Sequence, residues 1–267
     1  MSAAPIRVGI GGWTYEPWRG TFYPEKLPQK RELAYVGEHL TATEINATYH
    51  RLQKPKSFAD WARAVPDGFV FAIKGSRYVT NRRVLAEAEE SVRRFLDQGI
   101  VELGDRLGPI LWQFMATKKF EPDDFAAFLA LLPAAHAGVP LRHAIQVRHE
   151  SFACPEFVAM MRRAGMPICY ADSATYPAIA DLTGDFVYAR LENAQESAAA
   201  GYPPKALDGW AAAARGWAAG HAPPGLPYVE DAAPPTRPRD TFVFMINGFK
   251  PKAPAAALAL LDRLKAG

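Results

Sequence analysis

Glu44 and Asn46 stand two residues apart in TEINATYHRL (Thr43–Leu52), separated by Ile45. On a β-strand that spacing sends the acid and the amide to one face and the aliphatic residue to the other. Tyr49, His50 and Arg51 follow at once, so a phenol, an imidazole and a guanidinium open the next loop. A face of that make-up either meets water or lines a site. In a site, Glu44 is a general acid–base group, because burial or a neighbouring cation tunes a carboxyl pKa. In a scaffold, it is the ion-pair partner of Lys74 or Arg148.

Further reactive groups recur at similar places. Lys74 ends GFVFAIKG beside Gly75. Its amine can form a Schiff base if its pKa is depressed, and is otherwise an ion-pair partner. Asp172, in ADS, is a second acid–base candidate or, with Ser173, a helix cap. Arg77, Arg82, Arg83, Arg148 and Arg190 suit a clamp on an anionic group, since guanidinium matches carboxylate and phosphate. Asn46, Gln113 and Asn247 can orient a ligand, and His50 is a further acid–base group. NGFKP places Gly248 and Lys250 where barrels often bind phosphate. Trp13, Tyr15, Trp18, Phe22 and Tyr23 crowd one Pro-rich loop. Trp13 there can stack on a sugar or a base, whereas Phe22 and Tyr23 read as a small core that pins the loop.

Metal chemistry has less support. Of the six histidines, only His50 and His149 fall near predicted strand ends, too few for a multinuclear site. Glu44, Asp172 and Glu192 could hold one hard divalent ion. Because several cations share their neighbourhood, the expectation is a site with no metal and no cofactor.

Eight strand patterns must position these groups. They cover about residues 6–12, 41–46, 68–75, 108–114, 142–148, 166–172, 185–192 and 241–247. Helical patterns at 29–40, 54–66 (with Ser57 as N-cap), 84–103, 121–133, 154–165, 205–219 and 253–264 alternate with them, and 173–179 is a weak helix or turn. Strict β–α alternation implies parallel strands with right-handed crossovers. Eight such units in 267 residues predict an α/β fold, a (β/α)8 TIM-barrel-like single domain. A doubly wound dinucleotide-binding sheet would need a GxGxxG turn opening a helix, and GIGGWTYEPW lacks it. Residues 193–240 form a Pro-rich excursion, either a lid or a plain surface insertion.

In a barrel the site lies over the C-terminal strand ends. Sending the apolar alternates outward leaves Glu44, Asn46, Lys74, Gln146, Arg148, Tyr188, Arg190 and Glu192 facing in. Gln113, Asp172 and Asn247 end their strands, and strand four has an ambiguous face between Leu111 and Trp112. Polar groups recurring at one end of strand after strand favour a polar pocket over a dry core.

Composition narrows the class. Hydrophobic residues make up 49% and charged residues 22%, as in soluble globular chains. A net charge of +3 is too small to imply nucleic-acid binding by itself, although a local basic patch could provide it. Two cysteines without CxxC spacing exclude a disulfide framework and suit a reducing cytosol. The N-terminus shows no signal-peptide pattern and no apolar run reaches the roughly 18 residues of a membrane span. The expectation is a cytoplasmic protein with no membrane partner and an open oligomeric state.

GGWTYEPWRGTFYP, TEINATYHRL, PDGFVFAIKGSRYVT, LGPILWQF, VRHESF, ADS and DFVYARLE occur in that order. In this the chain resembles the DUF72 family, also called YecE-like proteins, over nearly its whole length. The resemblance implies a TIM-barrel-like fold in a soluble bacterial protein without an established activity. It also implies a looser, fold-level similarity to endonuclease-IV-like nucleases and xylose-isomerase-like enzymes. The matching polar positions are Trp13, Tyr15, Trp18, Glu44, Asn46, Tyr49, Lys74, Arg77, Gln113, Arg148, His149, Asp172, Arg190 and Asn247. The chain departs from the pattern at Glu150, where the family has proline, and after Asn247, where INGFKPKAP lacks the usual Asn-Asp.

The functional expectation is an enzyme acting on a small anionic substrate, phosphorylated or sugar-like, by acid–base chemistry. Glu44, Lys74 and Asp172 are its catalytic candidates. Trp13, Tyr15, Asn46, Tyr49, Arg77, Gln113, Arg148, His149, Arg190 and Asn247 are its binding candidates. The alternatives are a nucleic-acid-binding or repair-related barrel using the basic loop 74–83, and a ligand sensor without turnover.

Overall fold

The computed structural model describes residues 3–230 and 235–266. Eight parallel strands run through it: β1 (Ile6–Gly11), β2 (Ala42–Ile45), β3 (Val70–Lys74), β4 (Leu107–Gln113), β5 (His143–Gln146), β6 (Tyr170–Asp172), β7 (Phe186–Leu191) and β8 (Asp240–Met245). The sheet order is β5-β4-β3-β2-β1-β8-β7-β6. Its two edges meet just below β6, at a parallel bridge between Ile145 and Ile168. There the Ile145 amide donates to the Pro167 carbonyl at 3.0 Å and the Cys169 amide to the Ile145 carbonyl at 2.7 Å. The sheet is thus nearly closed into the expected TIM-barrel-like form, with every strand beside its sequence neighbour.

Seven helices of two turns or more lie around it among the described residues: α1 (Glu32–His39), α2 (Pro55–Ala64), α3 (Glu89–Leu96), α4 (Pro122–Ala130), α5 (Pro155–Ala164), α6 (Pro204–Ala219) and α7 (Ala253–Lys265). Outward residues of the strands form one apolar layer with these helices, including Val8, Ile10, Ile45, Phe71, Ile73, Trp112, Val187 and Leu191. A second cluster fills the barrel: Ala42, Val70, Ala72, Leu111, Ala144, Cys169, Phe186, Tyr188, Phe242, Phe244 and Ile246. The ambiguous β4 face is therefore settled, with Trp112 toward the helices and Leu111 inside. At the N-terminal end of the barrel, Arg7 and Arg142 approach the same Asp240 oxygen, at 3.6 and 2.9 Å. Both guanidiniums also lie against Phe242. That end is filled by ring stacking and ion pairs, and the opposite end is left for a site.

Local structure departs from the sequence reading at four places. The helix expected over 84–103 is broken into a 3-10 turn, α3 and a second 3-10 stretch. Gly99 takes φ +98° with Pro55 packed against it, where a Cβ would come within 2.7 Å. Ser57 does not cap α2, because Pro55 already occupies the first turn and needs no N–H partner. Residues 173–179 carry no helix. A small antiparallel hairpin pairs Ala135–His136 with Val139–Pro140. Its turn residues Ala137 and Gly138 both have positive φ, as a two-residue hairpin turn requires.

The described residues late in the excursion after β7 pack on α5 and on the segment before β7. The Val229 and Glu230 amides donate to Asp181, and Arg162 of α5 pairs with Glu230. Arg239, just before β8, is buried and donates to the carbonyls of Gly184, Gly220, Arg237 and Pro235. No described residue of 193–240 lines the central cleft reported below. Residues 231–234 of this excursion lie outside the described residues. No helix among the described residues is long and apolar enough to cross a membrane.

Candidate functional site

Beneath the mouth, β2 and β7 build a buried ion cluster. Tyr188 donates its hydroxyl to one Glu44 oxygen at 2.7 Å, and Arg190 donates Nη2 to the other at 3.2 Å. The other side of the Arg190 guanidinium donates to Glu192 at 2.8 Å and to the side-chain amide oxygen of Gln146, Oε1, at 2.7 Å. Gln113 donates to that same Gln146 oxygen at 2.7 Å. Although burial pulls the Arg190 pKa down, Glu44 and Glu192 more than offset it and hold the guanidinium charged. Burial first, and then the Glu44 charge, push the Tyr188 phenol well up, so it stays a hydrogen-bond donor.

This corrects the sequence reading of Glu44. Its side chain is 0% exposed, both oxygens are engaged, and it lies below the cleft rather than on its surface. Its partners are Arg190 and Tyr188, not Lys74 or Arg148. Its two oxygens hold the Tyr188 hydroxyl and the Arg190 guanidinium. The trio Glu44, Asp172 and Glu192 is not assembled either, and no metal-competent group of three His, Cys, Asp or Glu forms among the described residues. Glu44 and Glu192 instead share the Arg190 guanidinium.

Above the cluster opens a cleft of about 640 Å³. Arg51, Lys74, Arg148, Arg190 and Lys250 line it, together with Trp13, Trp18, Asn46, His50, Gln113 and Asn247. Among the described residues, no carboxylate lines it. Ala253, the first residue of α7, also lines it, so a helix N-terminus borders the same space.

The turn after β2 prepares Lys74. The Thr48 hydroxyl, in the single helical turn Ala47–His50, donates to the Lys74 carbonyl at 2.7 Å. The next residue, Tyr49, lays its ring 4.3 Å from the Lys74 ammonium. No carboxylate is within ion-pair distance of Lys74 among the described residues. Burial chiefly, and then the Arg190 charge, lower its pKa to about 8, with Glu44 opposing. The ion-pair reading of Lys74 is therefore not what the structure holds.

Arg148 extends toward Glu192 at 3.8 Å and stacks on Tyr176 at 4.3 Å. Its Nε is buried without a partner. Burial lowers its pKa, with Glu192 opposing. Asn247 reaches the cleft because its backbone turns left-handed, φ +61°. Strand alternation groups it with Met245, whose side chain packs in the outer apolar layer.

Several candidates lie elsewhere. Asp172 shares the outward register of Tyr170, which packs on Trp210 and Trp217. It accepts from Asn193 at 2.9 Å, burial raises its pKa, and it does not line the cleft. His149 turns its Nδ1 to Ser151, and the exposed Arg77 lies against Tyr78. Tyr15 acts at one remove, holding the Lys250 ammonium 4.4 Å from its ring. Trp18 fixes the same loop, its Nε1 donating to the Lys250 carbonyl at 3.1 Å. Trp13 borders the cleft but is also anchored edge-on to Trp61. The roles of Tyr176 and of the Tyr188–Glu44 bond went unread. A tyrosine in an irregular loop carries no signal for its partner, whereas inward alternation did bring Tyr188 into view.

A nearly closed parallel α/β barrel with a cation-lined cleft over its C-terminal strand ends is the class these observations define. The chain belongs to the DUF72 family, whose model, described as a protein of unknown function, matches residues 7–267. It is similar to UPF0759 protein YunF of Bacillus subtilis (strain 168), 22% identical over 157 residues, 57% of this chain and 54% of that protein. The chain thus spans about half the length of that curated relative. The structure of a DUF72 family protein from Thermotoga maritima is similar with a TM-score of 0.71 at 23% identity, covering 97% of this chain and 99% of that one. At 12% identity, D-psicose 3-epimerase in the presence of D-fructose gives a TM-score of 0.50 over 97% and 96% of the two chains.

Proposed function

We propose that the chain is an enzyme that takes a small anionic, sugar-like or phosphorylated substrate into this cleft. The observation that carries the reading is the lining itself: five Arg and Lys side chains and, among the described residues, no carboxylate. Beneath it, Glu44 and Glu192 are already shared with Arg190. Arg148, with an unpaired buried Nε, and Lys250, whose side chain lines the cleft, suit the anion. Lys74 is the reactive group, because its amine lines the cleft without an ion-pair partner among the described residues and burial lowers its pKa. The barrel likeness to a sugar epimerase is compatible with a sugar-like substrate and adds nothing finer.

Inorganic phosphate tests the anion site. Arg148→Met should weaken phosphate binding about tenfold or more, the worth of a charge-assisted hydrogen bond, while thermal stability changes little. Calorimetric titration of both proteins reads this directly. Equal phosphate affinity in the two, or none in either, would overturn the anion reading.

A second reading rests on a separate surface. Tyr78 is 61% exposed, and Val84 and Met115 are exposed beside Arg77, Arg82, Arg83 and Lys119. Cations around an exposed ring suit single-stranded nucleic acid, whose phosphates pair while its bases stack. Binding of a fluorescent single-stranded oligonucleotide would then fall steeply from low to moderate salt, and Tyr78→Ala would weaken it. Absence of binding at the lowest salt removes this reading.

A further inference from the structure

We propose that Lys74 is a covalent nucleophile, forming an imine with the carbonyl group of an anionic aldehyde or ketone held in the cleft. The inference rests on the anionic-substrate reading above and adds the bond that the substrate must offer. Three features of geometry support it. The amine lines the cleft and has no hydrogen-bonding or ion-pairing side chain among the described residues, only the Tyr49 ring face. Its backbone is fixed at the end of β3 by the Thr48 hydroxyl, which limits where the amine can swing. Arg148 and Arg190 line the same space, so cations that hold an anionic group also disfavour a charge on the amine. The lowering of its pKa to about 8 agrees with that placement: burial lowers it most, Arg190 and Arg148 add to the lowering, and Glu44 and Glu192 oppose it.

The step is a condensation. The neutral amine attacks the carbonyl carbon, the C=O π electrons move to oxygen, and the nitrogen proton passes to that oxygen to give a carbinolamine. The proton that the ammonium released to become the neutral amine is returned to the carbinolamine hydroxyl, which leaves as water, and the C=N bond remains protonated on nitrogen. His50 borders the same cleft and packs edge-on to Tyr49 at 5.0 Å. No oxidant or reductant is needed, and one water is released per imine.

Borohydride trapping decides the matter. Intact protein is incubated near pH 7.5 with glyceraldehyde 3-phosphate or with uncharged glyceraldehyde, then reduced with sodium borohydride and mapped by peptide mass spectrometry. The expected result is label on Lys74 at about ten times the level on exposed lysines, preferentially from the phosphorylated aldehyde and suppressed by inorganic phosphate. Lys74→Arg should remove that label and leave the surface background. Label on Lys74 no greater than on exposed lysines such as Lys54 and Lys56 would overturn the imine. Phosphate calorimetry on the same sample separates the two ideas: phosphate binding without Lys74 label sinks the imine alone, and Lys74 label without phosphate binding sinks the anion reading alone.

Discussion

Glu44→Gln is expected to lower the stability of the fold by about 3 kcal/mol, the lower part of the range for removing one partner of a buried ion pair. Glu44 is fully buried and holds two donors, Arg190 and Tyr188. A neutral amide can still accept from Arg190, but it withdraws a full charge from a nearly buried guanidinium. Glu192 remains as a second carboxylate, 2.8 Å away, which keeps the loss from being larger. A melting-temperature drop of about 6 °C or more corresponds to this loss in a chain of this size. Denaturant unfolding of Glu44→Gln, Tyr188→Phe and the double variant measures the coupling, expected at about 1 kcal/mol or more. An unchanged stability in Glu44→Gln would show that Glu44 is not the anchor of Arg190. Because Arg190 reaches into the cleft from this cluster, the same substitution should loosen phosphate binding as well.

Lys74→Met should act in the opposite direction on stability. The unfolded lysine titrates near 10.5 and the folded one near 8, so at neutral pH the native state carries a proton that burial opposes. That difference corresponds to about 3 kcal/mol of destabilisation, part of it offset by the contact with Tyr49. Methionine removes the charge and keeps an unbranched chain, so the variant should be about 2 kcal/mol more stable at pH 7. Between pH 8 and 10.5 the unfolded wild-type chain binds more protons than the folded one. The wild type therefore gains stability as pH rises through that window, and its deficit against the variant shrinks. Above the unfolded lysine pKa the deficit should be nearly gone. Urea unfolding of both proteins at pH 7, 9 and 10.5 gives the difference free of other titrating groups. A variant less stable than wild type at pH 7, or a difference independent of pH, would contradict a depressed amine. A stabilising substitution that also removes borohydride labelling is the signature of a residue kept for chemistry at a cost to the fold.

Period-two alternation and the count of strands carried the sequence far. The pattern of outward aliphatics at Ile45, Phe71, Ile73, Val187 and Leu191 determined the barrel and sent Glu44, Lys74 and Arg190 to its inner side. Those positions follow from residue order alone, because a strand has only two faces and one of them must be apolar. The sequence could not set height along the barrel axis. Alternation marks Glu44 and Lys74 as equally inward, yet one is sealed beneath the mouth and the other opens into it. Depth depends on the stagger between neighbouring strands, which no single strand encodes. Nor could it set partners: Glu44 meets Tyr188 and Arg190 across 144 and 146 residues of chain, and the pairing leaves Lys74 without a carboxylate. Asp172 and Asn247 mark the same boundary at the strand ends. Once backbone leaves the extended region, as at Asn247 with φ +61°, alternation no longer says where a side chain points. Residue order decided which groups share the interior, and the closed barrel, by its register and depth, decided which cations are already paired and which remain free for a ligand.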